Sequence, residues 1–304
     1  MGASARGVWL PMDLDARDHG DDEPMGTKDK FWIHVEGSHW LVKLCRVVDG
    51  ETRGEDWAEW LVHRLAALIG VPTAVTEPAT VRVDGDLRRG SASLDVREDP
   101  SLRLVHGNEL LAEADAAYES GQRRGNARYT PTAVRVALGG FGPPPGLPHA
   151  LRDAFDVWAG YLVLDAWVAG RDRHHENWAV VRWVRAAGYL VPSFDHGNAL
   201  GFQEAERSVE RLAADPLLLE RWCRRGKSHH FAGRPDLVAL ALTALDLASD
   251  GARSHWLAAL AAIDAEEIAR TIAAVPQDLM SVGRSRFIAA LLEVNRERLR
   301  RGHP

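Results

Sequence analysis

The most informative residues form two short segments, Gly170-Arg-Asp-Arg-His-His-Glu-Asn177-Trp178 and Ser193-Phe-Asp-His-Gly197. The first contains Asp172 and Asn177, separated by four residues, and the second contains Asp195. Carboxylate and amide oxygens are hard ligands, so two aspartates and one asparagine form an oxygen-only set suited to Mg²⁺. The two segments predict one polar site, provided that the intervening chain brings them together.

The intervening chain has the pattern of a β-hairpin. Residues 178–184 are predicted as one strand, residues 186–188 as the turn region and residues 189–194 as the return strand. Asn177 then lies just before the first strand, and Asp195 lies just after the second. Both side chains are therefore expected at the open end of the hairpin, where Asp172 can converge with them.

Protein kinases use the same order of residues: a catalytic-loop aspartate, an asparagine after four intervening residues, and a second aspartate that holds metal. The D-x-x-x-x-N pattern alone is common by chance, and its alternative interpretation is an ordinary polar loop. The hairpin and the Asp-x-Gly at residues 195–197 favour the functional interpretation, and residues further upstream strengthen it.

Length and composition bound the class of protein. The chain has 304 residues, 46% of them hydrophobic and 26% charged, as in a soluble globular protein with one two-lobed domain or two small domains. The net charge of −6 argues against general nucleic-acid binding. Two cysteines, Cys45 and Cys223, exclude a multi-disulfide scaffold and favour the cytoplasm. The sequence shows neither a signal peptide nor the roughly 18 apolar residues of a membrane helix.

The N-terminal segment is polar and acidic, and residues 1–24 are predicted to be a flexible leader. Two β-prone runs follow around a Gly-containing turn. Gly26, Thr27 and Lys28 precede the first run and could lie over phosphates, using backbone N–H groups and a positive charge. The alternative interpretation of these three residues is an ordinary turn, since turns often contain Gly and Lys.

Lys43 lies within an apolar strand, Trp40-Leu-Val-Lys-Leu44, where an inward-facing ammonium group needs an anionic partner. The alternative is an edge-strand lysine that prevents aggregation. Glu59 on the next predicted helix is the candidate partner. Protein kinases orient their phosphate-binding lysine with such a helix glutamate. Glu55 and Asp56 are interpreted instead as favourable charges at the start of that helix.

The rest of the chain divides into a β-rich part and a helical part. Further strands are predicted around residues 75–83 and 89–96, with a hinge between about residues 97 and 108. An apolar helix over residues 151–169 is expected to be buried at the centre of the second part. After Gly201 the sequence is helical to its end. Shorter features are a helix over 110–118, a polar loop over 119–130 and a Gly/Pro-rich loop over 139–148.

Together these motifs resemble the HipA-like kinases, a bacterial family with a protein-kinase-like fold. The resemblance spans about residues 25–202 and implies an α+β fold of two lobes. The N-lobe, over residues 25–106, would be small and β-rich with one helix, and the C-lobe, over residues 107–304, mostly helical. The matching positions are Gly26-Thr27 to Lys30, Lys43, Gly54-Glu55 to Glu59, Leu68-Ile-Gly-Val-Pro72, Asp172 to Asn177, and Asp195-His-Gly-Asn-Ala-Leu-Gly201.

The resemblance implies ATP and Mg²⁺ as cofactors. Lys43 would bind the α- and β-phosphates with Glu59 as its orienting partner. The backbone and side chains of Gly26, Thr27 and Lys28 would cover the phosphates.

The remaining implied roles belong to the two segments described first. Asp172 would accept or orient the proton of a substrate hydroxyl, while Asn177 and Asp195 would hold Mg²⁺. Arg171 stands where the family often has asparagine, so the hydrogen bonds of this loop are expected to differ.

His174 and His175 beside Asp172 raise the alternative of a metal cluster. Adjacent residues seldom chelate one ion on a compact loop, and zinc sites need further ligands at wider spacing. His174 is therefore predicted to fix the loop, and His175 is predicted to lie on the surface.

Three functions remain open at this point. The leading hypothesis is a Ser/Thr protein kinase that transfers the γ-phosphate of ATP to a hydroxyl. A small-molecule or lipid kinase of the same fold is the second, and a nucleotide-binding pseudokinase scaffold is the third. The expected partners are ATP and an unidentified hydroxyl-bearing substrate, with a protein favoured and with neither membrane nor nucleic acid involved.

Overall fold

The computed structural model describes residues 8–16, 19–22, 30–99, 101–183 and 186–302. The mixed α+β fold of two lobes predicted from the sequence is confirmed within these ranges. The strands are β1 Met12–Asp15, β2 His19–Asp22, β3 Lys30–Val35, β4 Ser38–Leu44, β5 Val47–Val48, β6 Glu51–Thr52, β7 Thr76–Val83, β8 Asp86–Leu94, β9 Arg103–His106, β10 Ala179–Trp183 and β11 Ala186–Leu190. The helices are α1 Glu55–Leu68, α2 Gly107–Ala114, α3 Pro131–Ala137, α4 Ala154–Trp167, α5 Glu206–Ala214, α6 Pro216–Arg224, α7 Leu237–Leu247, α8 Asp250–Ala261, α9 Ala265–Ala273 and α10 Val282–Arg301.

The N-lobe is a six-stranded sheet in the order β1-β7-β8-β4-β3-β2, covered by α1. β4 lies between β3 and β8 and is antiparallel to both, with Lys43 opposite Lys30 on one side and Ser91 on the other. Lys43 therefore lies on an interior strand. The alternative of an edge-strand lysine is wrong.

The prediction of a flexible leader over residues 1–24 is wrong for the part of it that the structure describes. β1 pairs in parallel with β7, beginning with Met12 opposite Ala79, and β2 pairs with β3. Met12 and Leu14 pack against the apolar cluster of the sheet. The acidic residues dominate the composition of this segment, although two apolar side chains two positions apart suffice to bury one face of a short strand.

The helix α1 is buried around most of its circumference, because its carboxylates have cationic partners. Glu55 contacts Arg46 with 2.5 Å between nitrogen and oxygen, and Asp56 contacts Arg89 at 2.8 Å. Both carboxylates lie in the first turn of α1, as predicted, and each also pairs with an arginine. Their burial places α1 firmly against the sheet that carries Lys43.

The second sheet is antiparallel and has the order β11-β10-β9. β9 lies inside the predicted hinge and pairs with β10, so it belongs to this sheet rather than to the N-lobe sheet. The predicted hairpin is confirmed, but the predicted turn is wrong because β11 already begins at Ala186. Gly188 has φ +94° and marks an irregularity inside the strand, where a Cβ would lie 1.8 Å from the carbonyl oxygen of Val181.

The C-lobe is helical, and its central helix is α4. All 14 residues of α4 are buried, as its mostly apolar sequence predicts, and Asp153 caps its first turn. Asp264 caps α9 in the same way, since it accepts a hydrogen bond from the backbone N–H of Glu266. Among the described residues, no helix combines the length and apolar character needed to cross a membrane.

Candidate active site

Lys43 is buried between two carboxylates. Its Nζ lies 3.0 Å from Oδ1 of Asp195 and 3.5 Å from Oε1 of Glu59. The ion pair between Lys43 and Glu59 predicted from the sequence is therefore present. Burial alone would lower the pKa of Lys43, but the charges of Asp195 and Glu59 outweigh it and raise this pKa above its ordinary value. The ammonium group remains charged and fixed in place.

Glu59 also connects α1 to the segment that follows β11. Its Oε1 accepts a hydrogen bond of 3.0 Å from the backbone N–H of His196. One buried carboxylate thus holds both Lys43 from the N-lobe sheet and the backbone next to Asp195. Movement of α1 would disturb both residues together.

Asp195 is held in an uncommon backbone conformation. Its φ is +62°, in the left-handed region that non-glycine residues seldom adopt, although aspartate tolerates it better than most. The preceding Ser193 exchanges backbone hydrogen bonds with Pro72 and Ala74, which fixes the start of the turn. The side chain of Asp195 is 35% exposed and is accessible from the cleft.

The loop between α4 and β10 is organised by a buried arginine that the sequence analysis missed. Arg173 donates two hydrogen bonds of 2.8 Å to Asp165 on α4 and one of 2.7 Å to the backbone oxygen of Asn177. The amide nitrogen of Asn177 donates to the backbone oxygen of Asp172 at 2.6 Å. This leaves the amide oxygen of Asn177 as the atom available to a ligand.

Asp172 contacts a second residue that the sequence analysis missed. Its Oδ1 lies 2.9 Å from Nε2 of His230, whose Nδ1 lies 2.6 Å from the backbone oxygen of Arg123. His230 is buried, whereas the side chain of Asp172 is 38% exposed. The two residues are 58 positions apart, so no local spacing in the sequence could have indicated the contact.

The two adjacent histidines have structural contacts. The backbone N–H of Glu176 donates to Nδ1 of His174, in agreement with the prediction that His174 fixes the loop. The prediction of a surface position for His175 is wrong, because this side chain is buried and its Nδ1 lies 2.6 Å from the hydroxyl of Tyr118. Burial lowers the pKa of each histidine to about 4. Within the described part of the chain, no cluster of three or more His, Cys, Asp or Glu side chains suited to a metal ion is found.

A cleft with a cavity volume of about 150 Å³ lies between the lobes. Its lining includes Lys43, Asn177 and Asp195 together with the apolar side chains of Leu41, Ala74, Leu104 and Phe194. A lining with both charged and apolar side chains suits a ligand that has phosphates and a flat ring. The oxygens of Asn177 and Asp195 are also of the type that Mg²⁺ prefers.

Two sequence expectations concern residues away from this cluster. Gly26, Thr27 and Lys28 lie outside the described residues. Arg171, at the position where the resemblance expects asparagine, places its guanidinium over the ring of Trp222 at 5.2 Å from the ring centre. It thereby connects the loop to α6.

Several solved structures share the fold of this chain. The Helicobacter pylori proinflammatory kinase CtkA superposes with a TM-score of 0.70 at 16% identity, over 96% of this chain and 97% of CtkA. HipA from Shewanella oneidensis, in its complex with HipB and operator DNA, gives a TM-score of 0.57 at 11% identity, over 92% of this chain and 64% of HipA. The Golgi casein kinase gives a TM-score of 0.52 at 11% identity, over 94% of this chain and 70% of the casein kinase chain.

This chain thus has a protein-kinase-like fold, and its resemblance to the HipA-like kinases is confirmed at the level of the fold. No protein-family model matches the sequence, and no curated protein matches it.

Proposed function

We propose that the protein is an ATP- and Mg²⁺-dependent phosphotransferase, and specifically a Ser/Thr protein kinase. The observation that carries the proposal is the position of Lys43, buried between Glu59 and Asp195 in the lining of the cleft. Burying a charged lysine beside two carboxylates costs desolvation free energy, so we expect this arrangement to serve ligand binding. A nucleotide phosphate would be a natural additional partner for this ammonium group.

The nucleotide would be held by residues of both lobes. Lys43 would contact the α- and β-phosphates, with Glu59 keeping its ammonium group in position. Asn177 and Asp195 would supply oxygen ligands to Mg²⁺, which when bound neutralises developing charge on the phosphates. The apolar lining near Leu41 and Phe194 would contact the base.

Asp172 would act on the acceptor. Its carboxylate would receive the proton of the substrate hydroxyl while the hydroxyl oxygen forms a bond to the γ-phosphorus and the bond to the ADP oxygen breaks. The backbone oxygen of Asp172 is bound by the amide of Asn177, so the two residues keep a fixed relation. CtkA, whose structure is similar to this chain, is described as a kinase, and this supports the same reaction class here.

The test combines nucleotide binding with phosphate transfer. Mg·ATP should raise the melting temperature of the wild type, because a ligand that binds only the native state stabilises it. At about 100 times the dissociation constant, the shift should be on the order of 5 °C. Asp195→Ala should lose most of this shift, whereas Asp86→Ala, at an exposed position on β8 away from the cleft, should keep it.

Transfer is then measured with Mg·ATP and dephosphorylated casein, with mass spectrometry of both casein and the protein itself. Phosphate on serine or threonine is the expected result. Binding without any transfer would identify a pseudokinase scaffold, and transfer confined to small alcohols or lipids would identify the second candidate. Equal thermal shifts for the wild type and Asp195→Ala would remove Asp195 from the metal site.

A further inference from the structure

The hydrogen bonds of His230 define its charge state. Nδ1 faces the backbone oxygen of Arg123 at 2.6 Å, and Nε2 faces Oδ1 of Asp172 at 2.9 Å. A carbonyl oxygen can only accept, so Nδ1 must carry a proton. An ionised carboxylate also only accepts, so Nε2 must carry a proton as well. With Asp172 ionised, the ring satisfies both contacts only as an imidazolium.

The burial of His230 makes this arrangement costly to break. The residue is 4% exposed, and a buried donor or acceptor that loses its partner carries the full penalty of desolvation. Its titratable neighbours are Asp172, His174 and His175 on the loop after α4, and His229 beside it in the chain. Asp172 is the one carboxylate in hydrogen-bond contact with the ring among the described residues.

The contact leaves part of Asp172 available. His230 binds Oδ1, and no described residue hydrogen-bonds to Oδ2. The side chain is 38% exposed, so Oδ2 is the oxygen that an incoming group can reach. A fixed Oδ1 therefore sets the direction of Oδ2. His230 itself is anchored to a separate part of the chain through the oxygen of Arg123.

We propose that His230 is a positioning residue for phosphate transfer, which holds Oδ1 of Asp172 through its Nε2–H and so directs Oδ2 to the acceptor hydroxyl. This inference rests on the proposed function. His230 donates its proton to the contact without giving it up, and the hydroxyl proton goes to Asp172. Loss of orientation at a reacting group commonly costs tenfold to about a hundredfold in rate.

Two substitutions test the contacts of the two ring nitrogens of His230 separately. His230→Gln places an amide N–H near the position of Nε2 and can keep the contact with Asp172. His230→Asn places an amide N–H near the position of Nδ1 and keeps only the contact with the oxygen of Arg123. His229→Gln, at the exposed neighbouring position, is the matched control. Melting temperatures establish that each variant is folded.

The expected result is a split between the two variants. His230→Asn should lose roughly tenfold or more in kcat on dephosphorylated casein, with the KM for ATP unchanged, because His230 does not line the nucleotide cleft. His230→Gln and His229→Gln should keep kcat within a few-fold of the wild type. Rescue by glutamine and not by asparagine identifies Nε2 as the functional atom.

The outcomes distinguish this inference from the proposed function. No transfer by the wild type on casein or on itself would overturn both. Transfer by the wild type with equal kcat in His230→Asn would overturn the role of His230 alone. That role would also be overturned if His230→Gln and His230→Asn lost kcat equally.

Discussion

Several residues of the site each contact more than one structural element. These contacts fix the positions of their side chains. Lys43 on β4 binds a helix carboxylate and a turn carboxylate, while Glu59 binds Lys43 and the backbone of His196. Asp172 is held through its backbone oxygen by Asn177 and through its side chain by His230. Each residue can therefore be tested for its own chemistry without dismantling the loop.

At this scale we expect Asp172→Asn to separate chemistry from nucleotide binding. The amide keeps an oxygen that can accept from His230, but it lacks the charge that draws the hydroxyl proton. Turnover should fall by roughly 10²-fold or more, while the free energy of nucleotide binding changes by less than about 1 kcal/mol. Calorimetry measures the binding, and transfer to casein measures the turnover.

Asp115→Asn provides the control, since Asp115 lies on the loop after α2 and pairs with Arg128 at the surface. This control should keep both binding and turnover. Parallel loss of binding and turnover in Asp172→Asn would make Asp172 a ligand or a fold residue. Full turnover in the same variant would contradict the kinase interpretation of the loop.

At the scale of elements, the catalytic loop depends on α4. Asp165 lies near the C-terminal end of this buried helix and binds Arg173 through both carboxylate oxygens. Arg173 then reaches the backbone of Asn177. The partner of Asp165 is thus the arginine that organises the loop.

We expect Asp165→Ala to destabilise the fold strongly. The change leaves the guanidinium of Arg173, which is 5% exposed, without its carboxylate. Removing one partner of a buried pair costs about 3–5 kcal/mol, which urea denaturation measures directly. Asp246→Ala removes an exposed partner of Arg253 and should cost at most about 1 kcal/mol. Equal losses in the two variants would show that the Asp165–Arg173 pair contributes little.

At the scale of the whole molecule, buried histidines make stability depend on pH. Burial lowers the pKa of His63, His174 and His175 to about 4 each. The unfolded chain has histidines with a pKa of about 6.5, so below that pH it binds protons that the folded chain excludes. Their contribution to stability is complete above pH 6.5 and is lost progressively as the pH falls toward 4.

We therefore expect the urea midpoint to fall between pH 7 and pH 5. Each such histidine can contribute up to about 1.4 kcal/mol per pH unit within this window. His63→Asn removes one titrating group while an amide can still contact Oγ1 of Thr73, which lies 2.7 Å from Nδ1 of His63. Its midpoint should decline less steeply than that of the wild type. Midpoints that stay constant over this range would contradict the role of the buried histidines.

Features that depend on short-range pattern could be predicted from residue order, because strands and helices repeat over a few residues. They are the spacing of Asp172 and Asn177, the hairpin before Asp195 and the mostly apolar helix α4. Lys43 and Glu59 were also identified, since a lysine inside an apolar strand requires a partner nearby. These features sufficed for the two-lobed α+β fold and for the core of the candidate site.

Three-dimensional packing sets which distant groups neutralise or orient one another. The contacts of Asp172 with His230 and of β1 with β7 join residues more than 50 positions apart. Burial penalises every unpaired charge or backbone polar group, so each buried group needs a partner. The packing of the chain selects which group that partner is. The contact of His230 with Asp172 and the buried position of His175 follow from that selection, which no local periodicity encodes.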